Sequence, residues 1–213
     1  MKKYELTSET KVINGVELHR IKALKSFGNI NKGDLGGWIE SEKNLSQDGD
    51  AWVYENAKVV GNATVSGNAT VSDNAWVYEN ATVGGKATVS GNATVSGNAT
   101  VSGFATVGGF ATVFDNATVR GNARVGGDAR VFSKADYIVF QNWWSSGRFF
   151  TWTRSNNKWM VGCFYGSGEE LIAKAYKDSE KSGREYERVV KYVNDILKEE
   201  EDNDNGNRNK CED

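Results

Sequence analysis

Residues 61–85 read GNATVSGNATVSDNAWVYENATVGG, and this stretch decides the fold. It belongs to a longer array in which alanine takes every sixth position from Ala51 to Ala135, with valine two residues after each alanine from Val53 to Val131. Within a unit, Ala and Val lie two apart, so both point to one side of an extended segment while Thr points to the other. The Gly-Asn pair supplies a corner, because both residues tolerate left-handed backbone angles. A period of six does not fit the 3.6-residue turn of an α-helix, and Thr, Val, Asn and Gly are weak helix formers.

A short strand plus a corner, repeated with small inward residues, predicts a parallel β-helix of hexapeptide repeats. A single unit buries nothing by itself. Stacked coils bury the Ala and Val columns and pair the strand backbones. Three units close one triangular coil in proteins of this type, so the array predicts about five coils and a rod of roughly 25 Å. The resemblance to hexapeptide solenoids implies a left-handed winding, against the usual right-handed crossover preference.

The fold class expected is mainly β: a left-handed parallel β-helix with a small N-terminal β unit and a C-terminal α+β capping domain. Residues 1–37 form the N-terminal unit, where Asn14-Gly15 between two β-rich runs signals a type I′ hairpin. The solenoid takes 38–135. Ile39 and Leu45 fall in phase with the alanine column, which predicts an irregular first coil over 39–50 that caps the open end. In 136–198, DYIVFQNWW, RFFTWTR and KWMVGCFYG read as three strands, followed by helices over 169–177 and 182–198. Residues 199–213, EEEDNDNGNRNKCED, read as a disordered acidic tail.

Positions 18 apart stack in one column. Sorted this way, one face of the rod carries large outward side chains: Val60, Trp76, Tyr78, Phe114 and Phe132, with Phe110 replacing a corner Asn beside Thr112. Apolar side chains concentrated on one face mark a contact surface, covered either by the terminal domains or by another subunit. Hexapeptide solenoids commonly form trimers, so a trimer or dimer is expected from the resemblance. The outward Thr columns invite an ice-binding reading, but Thr is also the ordinary choice at exposed strand positions.

A second candidate surface lies toward the C-terminal end. Arg148 and Arg154 are interleaved with Trp143, Trp144, Trp152 and Trp159, and Arg124 and Arg130 lie toward the same end of the solenoid. Aromatic and basic side chains together form stacking platforms for nucleotide-like ligands. In a domain of this size most such rings also serve as core.

Composition narrows the function classes. The chain has 213 residues and a formal net charge of −2, which argues against general nucleic-acid binding. No apolar run reaches membrane-spanning length and the start lacks a signal core, so a cytoplasmic location is expected. Cys163 and Cys211 fit reduced thiols, with Cys163 expected to be buried. Neither a metal cluster nor a cofactor motif is visible, and no catalytic residue is assigned. His19 is the one histidine and reads as an exposed strand residue rather than a base.

Three segments carry a family resemblance: NGVELHRIKALKSFGNINKGDLGGWIESEKNLSQDGDAWVY, the Ala-x-Val hexads, and the ending ADYIVF…TWTR…GCFYGSGEEL…REYERVVKYV. Together they resemble uncharacterised hexapeptide-repeat proteins of bacteriophages, prophages and bacteria. The family brings no established reaction. With no catalytic group visible, the expectation is a non-catalytic binding protein that engages a host protein or a nucleotide-like ligand through the C-terminal domain and the apolar face, and a counter-defence role fits the phage resemblance. A structural scaffold is the first alternative. A hexapeptide acyltransferase is the second; such enzymes use a solenoid histidine as general base, and residues 51–135 contain none.

Overall fold

A computed structural model of the chain describes residues 2–208. The strands are β1 (Tyr4–Ile13), β2 (Val16–Ala23), β3 (Leu35–Ile39), and then fourteen two-residue strands, β4 (Trp52–Val53) through β17 (Arg130–Val131). The cap contributes β18 (Tyr137–Gln141), β19 (Phe149–Thr153), β20 (Lys158–Val161), β21 (Phe164–Gly166), α1 (Gly168–Asp178) and α2 (Glu180–Arg208). The short strands stack as a parallel β-solenoid of about five coils. Its three sheets run β1-β2-β3-β5-β8-β11-β14-β17, β16-β13-β10-β7-β4 and β15-β12-β9-β6. Thr94 pairs with Trp76 and Thr112, so the expected 18-residue step is the register of the sheet.

The Ala and Val columns are fully buried from Ala51 to Val131, and Ala135, past the last coil, is exposed. Corners are made by one left-handed residue per unit, usually Gly, with Glu55, Asp73, Glu79 and Asp115 taking that role elsewhere. The left-handed residue stacks directly on its counterpart one coil away: a Cβ on Gly97 would lie 2.7 Å from the Asp115 amide nitrogen. Along one corner Asn62, Asn80, Asn98 and Asn116 form a side-chain ladder with amide-to-amide bonds of 3.1 to 3.2 Å.

A parallel stack leaves carbonyls unpaired at one end and N–H groups at the other, and orphaned backbone groups are costly when buried. The two ends are treated with opposite chemistry. At the first coil the side chains donate: Lys3 Nζ to the Ala51 carbonyl at 3.0 Å, Asn44 Nδ2 to those of Gly61 and Ala63, and the Tyr4 hydroxyl to that of Leu45 at 2.7 Å. At the last coil they accept: Thr151 Oγ1 from the Arg124 amide at 2.8 Å, Ser155 Oγ from that of Arg130 at 2.7 Å, and Asp136 from those of Phe132 and Ser133.

Several details differ from the expectation. Ile39 and Leu45 pair with Val59 and Val65, not with the alanine column, because the corner after Ser46 is two residues longer than its neighbours. Both columns face inward, so the two side chains are buried all the same. Trp52 takes the Thr position of its hexad yet is buried, with Phe27 and Tyr4 packed edge-on against it. The cap has four strands rather than three, since KWMVGCFYG turns at Gly162 with φ +58°. Cys163 sits in that turn and is exposed, where a buried thiol was expected. Residues 199–208 continue α2 rather than being disordered, with Glu200 held by Arg154. The remainder of the tail, with Cys211, lies outside the described residues.

Candidate functional site

The cap docks on the last coil by laying β19 across β16. Two glycines permit the approach. A Cβ on Gly126 would overlap Met160, and one on Gly127 would overlap the Tyr165 ring. The Asp128 carboxylate accepts from the Asn156 side-chain amide at 2.9 Å and from the Tyr165 hydroxyl at 3.1 Å, and these bonds hold it below the usual range.

This docking opens a cleft. One lobe, about 310 Å³, is lined by Phe104, Thr106, Asn122, Arg124, Arg148, Phe149 and Gly162. The adjoining lobe, about 520 Å³, shares Asn122 and Phe149 and adds Arg120 and Lys134. Four cations therefore surround one half-buried phenylalanine, and no carboxylate lines either lobe. Among the described residues none of the four cations has a carboxylate within ion-pair distance. The Nε of Arg124 is buried and has no hydrogen-bond partner. A buried donor without an acceptor is costly unless a ligand supplies one.

Arg148 is delivered by a folded loop. The Asn142 side chain is buried, accepts from the Ser145 amide and hydroxyl at 3.0 Å, and donates to the Tyr186 hydroxyl at 3.2 Å. The Asn142 amide in turn donates to the Arg148 carbonyl at 2.8 Å.

Of the residues expected in an aromatic–basic platform, the structure brings Arg124 and Arg148 together. Trp144, Trp152 and Trp159 are instead buried in the cap core with Phe150: Trp152 and Trp159 come from β19 and β20, and Trp144 packs on Tyr186 from the loop before β19. Arg154 is committed to structure: it pairs with Glu200 and its Nε donates to the Ala135 carbonyl at 3.1 Å. Arg130 is exposed outside the cleft, and Trp143 is exposed at the rim of the cap. Phe104 and Asn122 went unrecognised. Phe104 interrupts the corner column of Asn as Phe110 does, and that interruption was the available signal.

The expected contact face divides. Val60, Trp76 and Tyr78 line a cavity under the N-terminal hairpin. Phe110 and Phe132 remain exposed at the other end, where Phe132 packs on Phe114 with ring centroids 3.8 Å apart. His19 is half-buried, where full exposure was expected, because β1 and β3 flank it as Thr10 and Ile39. Among the described residues no group of three or more His, Cys, Asp or Glu side chains converges, and no helix is long and apolar enough to cross a membrane.

The fold and its two capped ends define a hexapeptide-repeat β-solenoid protein carrying a basic cleft at one end. Residues 63–79 and 87–103 match the YdcK Beta solenoid repeat family. The chain is also similar to the Uncharacterized acetyltransferase YdcK of Escherichia coli (strain K12), 33% identical over 63 residues. That match covers 26% of this chain and 19% of the relative, so the chain spans about a fifth of the relative's length.

Proposed function

We propose that the chain is a binding protein whose ligand is a small phosphorylated, nucleotide-like anion held in the cleft between the last coil and the cap. One observation carries this reading: Arg124 and Arg148 converge on Phe149 with no acidic side chain in the cleft and with the Arg124 Nε unpartnered. Guanidinium groups suit phosphate oxygens, which they can bind as a planar fork. Phe149 and Phe104 offer ring faces to a base. The lobe volumes of about 310 and 520 Å³ fall in the usual range of small-ligand pockets. The solenoid is the rigid support that fixes the spacing of the basic groups. The wider reading, a host protein as additional partner and a counter-defence role in a host cytoplasm, is supported by the resemblance to phage and prophage proteins.

Titration calorimetry with nucleoside mono-, di- and triphosphates and cyclic dinucleotides, against inorganic phosphate, tests the reading. The expected result is saturable binding of at least one nucleotide, tighter than phosphate alone. Absence of heat for every nucleotide at millimolar concentration would sink it.

The second reading is acyl transfer, favoured by the name that the Escherichia coli relative carries. Coenzyme A also contains a phosphorylated nucleotide, so binding alone does not separate the two. Turnover of acetyl-CoA does, and the binding reading expects none. Self-association through Phe110, Phe114 and Phe132 belongs to the same proposal; a solution mass of one chain, unchanged in Phe110→Asp, would remove it.

A further inference from the structure

A second cavity, about 540 Å³, lies at the opposite end of the rod, between the β1–β2 hairpin and the outward face of β5 (Lys58–Val59) and β8 (Trp76–Val77). Its walls are apolar. Leu18 and Val16 come from the hairpin, and Val60, Trp76 and Tyr78 from the solenoid. Register places a cation beside each wall. Lys11 is the cross-strand partner of Leu18, and Lys58 is the cross-strand partner of Trp76. Trp38 lies between them, in register with Lys58, with the Lys11 ammonium 3.8 Å above its ring and the Lys58 ammonium 5.3 Å from the Trp76 ring centre.

Donors in this strip outnumber acceptors. Neither lysine has an ion-pair partner among the described residues; Lys58 Nζ donates to the Asn56 carbonyl at 2.8 Å, and the nearby Glu9 is taken by Arg20. The Nε1 of Trp38 is buried and unpartnered in a side chain only 8% exposed. Burial depresses the pKa of both lysines, to about 8 for Lys11, where Lys58 and Arg20 add to the effect. Two half-buried ammonium groups that repel each other beside an apolar wall conflict with the rest of a well-satisfied fold, and such conflicts concentrate at sites that bind something.

We propose that this groove binds an amphiphilic monoanion, its apolar body between Leu18 and Trp76 and its acidic head on Lys11 and Lys58. The apolar lining supplies burial, and the two lysines, beside the cavity rather than in its lining, supply charge, so a compact polyanion fits poorly. The hairpin closes one side of the cavity, and its volume is that of a small-molecule pocket rather than of a flat subunit contact. This site is independent of the Arg124–Arg148 cleft, and either can fail without the other.

Octanoate and the uncharged octanol serve as matched probes, measured by calorimetry below micellar concentration. Octanoate is expected to bind the full chain. A Lys11→Met/Lys58→Met variant should weaken octanoate at least tenfold and leave octanol unchanged. Val60→Asp should abolish both, and Tyr78→Asp should repeat that effect from another wall, each checked by unchanged melting. No octanoate binding at millimolar concentration would overturn the proposal, as would equal loss of both probes in the double variant. A dimer that Val60→Asp dissolves, together with no octanoate binding, would overturn it in favour of a subunit contact.

Discussion

Arg124 and Arg148 reach one cleft from two unrelated elements, the first from the last full coil of the solenoid and the second from the loop before β19. Their encounter depends on the cap docking in one orientation. The contacts that fix it are the Thr151 bond to the Arg124 amide, Met160 against Gly126 and Tyr165 against Gly127. A repeat array cannot make such a site alone, because every coil looks like the next. The site arises where the repetition stops.

The capping bond should be measurable. Thr151 is fully buried and its hydroxyl accepts from an amide that would otherwise be an orphan at the end of the stack. Thr151→Val keeps the shape and removes the acceptor. The expected cost is about 1–3 kcal/mol, or roughly 2–12 °C in melting temperature for a chain of this size. Differential scanning calorimetry reads it. A variant that melts with the wild type would mean that the amide is satisfied in another way.

Two corner glycines separate backbone strain from stacking. Gly97 and Gly121 have almost the same left-handed φ, +67° and +68°. An added Cβ meets the Asp115 backbone at Gly97 and nothing within 4 Å at Gly121. Gly121→Ala should cost about 1–2 kcal/mol, the left-handed penalty alone. Gly97→Ala should cost more, because the next coil must move as well. Equal destabilisation in chemical denaturation would contradict the stacked-corner geometry.

Period and burial were legible in the sequence to different depths. The Ala and Val columns announced the solenoid and its 18-residue register, since each unit repeats the same inward pair. Ile39 and Leu45 were placed in the wrong column because the longer corner after Ser46 has no repeat to be measured against. The turn at Gly162 and the exposure of Cys163 depend on one positive φ inside an apolar run that reads as a single strand. Arg124 and Arg148 stood out as residues, but their convergence did not: proximity was set by docking contacts that leave no local signature. Aromatic density left Trp144, Trp152 and Trp159 open between platform and core, with core expected for most such rings, and the cap uses all three as core.

Stability should depend on pH at the alkaline side. Burial lowers the Lys3 pKa from 10.5 to about 8 and that of Lys11 likewise to about 8. Between pH 8 and about 10.5 the unfolded chain then holds more protons at these sites, so stability rises with pH in that window. Burial raises the Tyr4 hydroxyl well above its ordinary value, and Tyr54 and Tyr186 shift the same way. Above pH 10 the folded chain keeps those protons and the unfolded chain loses them, so stability falls. Melting temperature should therefore pass through a maximum near pH 10. Lys3→Met should flatten the rise from pH 8; an unaltered slope in that variant would remove Lys3 as its source.

Positioning of Arg148 can be probed without touching it. Asn142→Leu removes the side-chain bonds to Ser145 and Tyr186 that fold the 142–148 loop. Nucleotide affinity should fall about tenfold while the affinity of the hairpin groove for octanoate stays constant. A parallel loss at both sites would point to general unfolding instead.

The most direct measurement compares nucleotide affinity in the wild type and in Arg124→Met and Arg148→Met, alone and combined. Each guanidinium that contacts phosphate should be worth about 1.5–3 kcal/mol, so each single variant should bind about ten- to a hundredfold more weakly. The pair should deviate from additivity, because both arginines would hold one phosphate group. Wild-type affinity retained in the double variant would contradict the account and remove the cleft as the site of function.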